Sequence, residues 1–202
     1  MILVSGLNDK HMLGEKSNFK RTNQTDVISS PLKLYIETSS ILSYSFFDKS
    51  AVMITKDEIA HGIGDNTGKL ISPSLHSQIL QYFTEFSIKD MKNLLYTPIS
   101  SVSGVWYTLY LVSNPENNSQ FQLTFTSNYH NKYFIFLDTG KSNPVALFGG
   151  KRHAAAIDSE GSVIFIHKSI FDDYISNLYL QFPFQGRRRQ SVLHAVMISS
   201  LF

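Results

Sequence analysis

The decapeptides GGKRHAAAID (Gly149–Asp158) and SGVWYTLYLV (Ser103–Val112) share one layout. In each, a glycine is followed three residues later by a ring residue and then by a run of small or apolar residues: Gly150 to His153, and Gly104 to Tyr107. FFDKSAVMIT (Phe46–Thr55) keeps the run but has Ser50 in the ring position. SVLHAVMISS (Ser191–Ser200) has His194 there, and its Ala-Val-Met-Ile run also occurs at Ala51–Ile54. A pattern that returns at Ser50, Tyr107, His153 and His194 constrains the chain more than any local propensity does. Each copy is one small unit that cannot bury its apolar face alone and must stack against its neighbours.

A second element sits beside the first. TKDEIAHGIGDNTGKL (Thr55–Leu70) runs from a turn through a strand into Gly64-Asp65-Asn66. The N-terminal ILVSGLNDKHMLG places Gly6, Asn8, Leu13 and Gly14 in nearly the same order. Glycine at such points supplies positive φ or close backbone approach, and asparagine also tolerates the left-handed region.

Strand signals dominate the rest. Ser50–Thr55, Val105–Val112, Gln120–Ser127, Lys132–Asp138, His153–Asp158 and Ser162–His167 are short runs rich in β-branched and aromatic residues. Between them lie GDNTG, SNPENNS, DTGKSNP and DSEGS, all turn chemistry. Gln120–Ser127 alternates as a strand with one wet face does. Leu75, Ile79, Leu80, Phe83 and Phe86 roughly follow helical spacing behind Pro73, which predicts one short helix over Leu75–Phe86. The chain is otherwise read as all-β, one domain over residues 1–202.

The two elements together resemble the repeats of the regulator of chromosome condensation family: a strand, Gly-x-x-His, a further strand, an Asp-Gly-type turn, then Trp-Gly-x-Asn. Gly149–Val163 and Ala51–Leu70 look like the two halves, and Asp57, Gly64 and Asn66 keep the family spacing. Ile63 stands where the family has tryptophan, and His167 stands where the next glycine is due. The resemblance implies a β-propeller, in which radial repetition leaves only short, protected sheet edges. It implies about four antiparallel blades of roughly fifty residues each. The family typically has seven, so a partial or divergent propeller is expected. The structural repeat positions are then Gly6, Asn8, Gly64, Asn66, Gly104, Tyr107, Gly150, His153 and His194. The resemblance also implies a protein partner, which for the family includes small GTPases on which members act as guanine-nucleotide exchange factors. None of the exchange residues maps onto this sequence.

Composition narrows the function classes. At 43% hydrophobic and 17% charged residues the chain is too apolar for disorder. Its longest apolar runs, such as Tyr133–Leu137, are far too short to span a bilayer, and no signal peptide is expected at the N-terminus. The absence of cysteine removes disulfides and thiolate chemistry and fits a cytoplasmic or nuclear protein. A net charge of +2 gives no general attraction to nucleic acid or to anionic lipid. The run Arg187-Arg188-Arg189 is the local exception and a candidate contact for a phosphate or an acidic partner.

No catalytic constellation is visible. Gly64 to Lys69 is one residue short of a phosphate loop, and Leu70 follows the lysine where serine or threonine is required. The seven histidines show no metal-ligand spacing, and no Gly-x-Ser-x-Gly elbow occurs. Asp158 and Glu160 fall in a hairpin turn. His153 lacks a nucleophile or an orienting acid, and recurrence of its position points to a structural role in each repeat. The sequence therefore predicts no catalytic residue, cofactor or metal, and a non-catalytic protein-interaction module. Nucleotide exchange on a Ran-like GTPase is the alternative carried by the resemblance alone.

Overall fold

The computed structural model describes residues 2–7, 27–34, 40–47, 49–128, 133–140, 142–166 and 179–182. They form antiparallel strands joined by tight turns: β1 (Ile2–Leu7), β2 (Val27–Leu34), β3 (Ile41–Phe47), β4 (Ser50–Thr55), β5 (Ala60–Asp65), β6 (Ile79–Phe86), β7 (Ile88–Lys89), β8 (Leu95–Ser103), β9 (Tyr107–Asn114), β10 (Asn117–Ser127), β11 (Ile135–Leu137), β12 (Pro144–Gly149), β13 (Ala154–Asp158), β14 (Val163–Ile166) and β15 (Tyr179–Phe182). Strands β1 and β2 pair alone. The others make three sheets, β3-β4-β5-β6, β8-β9-β10-β11 with β7 on the free edge of β8, and β12-β13-β14-β15. Strand β3 lies against β8, and β8 against β12, so the first strands of successive sheets gather on one side while the later strands fan outward. That is the arrangement of propeller blades, here called blades I, II and III.

Side-chain alternation explains how the blades cohere. Val52 and Ile54 of β4 meet Tyr110 and Val112 of β9, with Ile71, Phe86 and Phe134 closing the cluster. On the opposite face of β9, Tyr107, Leu109 and Leu111 meet Ala154 and Ala156 of β13, with Leu123 and Phe125 from β10. Bulky residues on blade II thus face alanines on blade III, a large-to-small fit that fills the gap between sheets. Blade II is covered on both faces, and β9 is buried from Tyr107 to Ser113.

This packing corrects two expectations. Strand β10 has no wet face over its second half: Thr124 and Thr126 are as buried as Leu123 and Phe125. Their hydroxyls are satisfied instead, Thr124 Oγ1 donating to the Ile135 carbonyl at 2.9 Å and Thr126 Oγ1 to the Leu70 carbonyl at 2.6 Å. The helix expected over Leu75–Phe86 is a loop followed by strand β6, paired to β5 from Ala60↔Phe86 to Asp65↔Ile79. Two causes are visible. Residues of strand-forming type at Ile79, Tyr82, Phe83 and Thr84 complete the edge of β5. The carbonyl of Leu75, which a helix would direct at residue 79, accepts instead from the Asn66 side-chain amide at 3.3 Å and from the Lys69 ammonium.

Two hairpins show how the repeat is written differently in different copies. In blade I the Thr55 amide donates to Ile59 O and the Glu58 amide to Thr55 O. In blade III the Asp158 amide donates to Ser162 O and the Gly161 amide to Asp158 O. The matching fourth-bond positions are Glu58 at φ 66° and Gly161 at φ 82°. Only one of them has the residue suited to that geometry. Glu58→Gly is therefore expected to stabilise the chain by about 1 kcal/mol, and Gly161→Ala, whose Cβ would meet nothing within 4 Å, to destabilise it by about as much through the backbone alone. Urea unfolding midpoints at constant m-value would show the opposite signs.

Candidate interaction surface

The recurrent ring positions open the second strand of each blade: Ser50 begins β4, Tyr107 begins β9, and His153 directly precedes β13. The glycine turn before them is the same object in blades II and III. Gly104 N donates to Tyr107 O at 2.9 Å, and Gly150 N to His153 O at 2.9 Å. Tyr107 then couples one turn to the next. Its hydroxyl lies 2.7 Å from His153 O and 2.9 Å from Gly150 O, to which it donates, and it accepts from Gly150 N at 3.3 Å. Gly104 is obligatory at this junction, because a Cβ there would overlap the Tyr107 ring and stand 2.8 Å from Gly150 O. The His153 ring packs against Phe165, with centroids 5.8 Å apart. In blade I, Ser50 is buried and its hydroxyl finds no hydrogen-bond partner among the described residues.

The second sequence element lies at the junction of blades I and II. Gly64, at φ 96°, is the register partner of Ser50. Asn66 is buried, and its side chain is the centre of the following loop. Its Oδ1 accepts from Ile71 N at 2.9 Å and Ser72 N at 3.1 Å, and its Nδ2 donates to the carbonyls of Ser77, Leu75 and Ser72. The loop so fixed reaches blade II, where the Tyr110 hydroxyl donates to Ile71 O at 2.6 Å. Gly6 lies in β1, opposite Ile28. Asn8, His194 and the arginines Arg187, Arg188 and Arg189 lie outside the described residues.

Burial pushes the hydroxyls of Tyr107 and Tyr110 well above the ordinary phenol value, against a smaller downward pull from their hydrogen bonds. The folded chain therefore holds these protons more tightly than the unfolded chain, whose tyrosines titrate near pH 10. Their contribution to stability is complete below about pH 10 and is lost as pH rises above it. The urea midpoint is expected to fall steeply above that pH, and the Tyr107→Phe/Tyr110→Phe pair to flatten the fall while lowering stability at neutral pH.

Beside the buried anchors the Arg152 guanidinium carbon lies 5.0 Å from the centroid of the Trp106 ring, joining the turns of blades II and III, and the Val105 amide donates to Lys151 O at 3.0 Å. Neither contact was foreseen from the sequence. The available signal was position, since Trp106 and Arg152 both stand one residue before a ring anchor. An open cleft of about 410 Å³ lies between the Pro73–Leu75 loop, Phe86, Lys89 and Tyr133. Among the described residues no three histidine or acidic side chains come together as a metal site, and no helix is long and apolar enough to cross a membrane. Asp158 and Glu160 do form a turn, with Asp158 Oδ1 accepting from Glu160 N and Ser162 N.

No family model matches the sequence, and no curated protein matches it. Solved structures do. Human WBSCR16 superposes with a TM-score of 0.62 at 12% identity, covering 82% of this chain and 47% of that one. Yeast RCC1 (Prp20), in its complex with Kap60, gives 0.57 at 12% identity, covering 94% and 46%. The fold is that of the RCC1 propeller. A second structure of Prp20p from Saccharomyces cerevisiae, described with its binding to Gsp1p and histones, gives 0.54 at 14% identity, covering 81% and 40%. The chain spans about half the length of these RCC1-type structures or less. The likeness lies in the backbone.

Proposed function

We propose that the chain is a non-catalytic protein-interaction module, a divergent partial RCC1-like propeller whose exposed turns bind another protein in the cytoplasm or nucleus. The observation that carries this is the division of labour at the repeat. The Tyr107 hydroxyl is engaged in joining blades II and III and Asn66 in holding the loop that meets blade II, while the turns beside them carry exposed side chains, the usual place for binding residues. The RCC1-like neighbours support a protein partner, since Prp20 is described in complex with Kap60 and binding Gsp1p and histones. The absence of cysteine supports the compartment.

The test is release of a labelled guanine nucleotide from a panel of small GTPases, run beside cross-linking of the chain to cellular proteins with identification of the cross-linked sites. The expected result is unchanged nucleotide release and cross-links on turn residues. Accelerated release from any member would replace this function with exchange, and the same GTPase would then be the partner.

A further inference from the structure

We infer that the junction of blades II and III carries an acidic-peptide site built from Trp106, Lys151 and Arg152. The inference deepens the protein-binding function above and rests on it. Trp106 is half-buried, while Lys151 and Arg152 are exposed. None of these two cations pairs with a described carboxylate. The indole face holds the Arg152 guanidinium, a contact that lowers the freedom of a long side chain and leaves the in-plane N–H edge open. That edge matches a carboxylate with two parallel hydrogen bonds. Lys151 adds a second charge from a turn whose backbone is fixed to blade II through Val105. The result is a preorganised cationic patch beside an aromatic ring, at a point where two blades meet.

The far ends of the same strands have the opposite sign. Each second strand runs from a ring-anchor turn to a hairpin, so the two sets of turns lie at opposite ends of the blades. The hairpins present Asp57 and Glu58, Glu116, and Glu160, all exposed, with Lys56 as their single cation. An acidic segment is attracted to the Trp106–Arg152 end and repelled from the hairpin end, so charge sets its approach as well as its seat.

The probe is a fluorescein-labelled decaglutamate peptide, titrated with the whole chain at low and at physiological salt and read by anisotropy. Trp106, the sole tryptophan, gives a second readout at the site itself, through its intrinsic emission. Binding is expected to weaken with salt and to shift the Trp106 emission. Arg152→Glu should weaken it on the order of tenfold or more, and Lys151→Glu several-fold. Lys56→Glu at the opposite end should leave it unchanged. Unfolding midpoints of each variant separate loss of the site from loss of the fold. Equal affinity for Arg152→Glu and the parent chain, or tighter binding of a single-stranded oligonucleotide of equal charge than of the peptide, would overturn the site. Cellular cross-links that persist in Arg152→Glu would leave the interaction module standing and remove only this surface. Accelerated nucleotide release would remove the module and leave the peptide result untouched.

Discussion

Asn66→Ala is expected to cost about 4 kcal/mol, a large fraction of the stability of an ordinary domain. The amides of Ile71 and Ser72 lie in residues with no exposed surface, and both depend on Asn66 Oδ1. Removing it leaves two buried donors without their acceptor, each worth about 1–3 kcal/mol, before the lost bonds to Leu75 and Ser72 carbonyls are considered. The Ser77 carbonyl lies in an exposed residue and can turn to solvent, so its share is small. Damage should spread beyond the loop, because Ile71 O is the acceptor for Tyr110 of blade II. Asn66→Asp keeps the acceptor but loses the amide donors and buries a charge, so it should not rescue. Urea unfolding followed by tyrosine fluorescence and by amide circular dichroism measures the loss. A drop below about 1 kcal/mol would mean that the loop holds its shape without the asparagine.

Gly104→Ala should be the next most damaging change, at about 3 kcal/mol. The obstacle is steric and local. The new methyl would enter the Tyr107 ring and press on Gly150 O, so either the ring leaves its pocket or blade III moves away from blade II. Tyr107→Phe leaves the ring in place and removes only the hydroxyl, at about 2 kcal/mol. The two effects share one junction, so the double variant should cost clearly less than their sum. Additive losses would show that the glycine and the tyrosine act separately. Gly149→Ala is a useful comparison, since its Cβ would come 2.8 Å from Val102 Cβ at the same blade boundary.

Much of the fold was legible because propeller repeats write themselves into local sequence. Gly104 marks a turn that a side chain would obstruct, Gly150 opens the matching turn of blade III, and the apolar runs behind Tyr107 and His153 mark strands buried between sheets. The hairpin at Asp158–Ser162 is similarly readable from its glycine. Leu75–Phe86 misled for a definable reason. Its apolar spacing fits a helix about as well as a bulged strand, and the choice was made by Asn66 and Lys69, which claim the Leu75 carbonyl, and by the open edge of β5. The wet face assigned to β10 failed because its threonines look solvent-facing in isolation. Only a neighbouring blade that supplies Leu70 O makes Thr126 a buried residue.

By itself, then, the chain determined its class, its repeat and the places where the backbone must turn, since these depend on the steric demands of glycine and on the two-residue period of a strand. Tertiary structure alone decided which polar groups are bound inside and which are left at the surface. His153 stands out most in the sequence, yet its turn is spanned by the Tyr107 hydroxyl at the blade junction. Arg152, one residue away, carries no motif, and becomes a candidate contact because Trp106 of the adjacent blade lies beneath it. Such pairings join residues nearly fifty positions apart, and no local pattern encodes the approach of two blades that packing brings together.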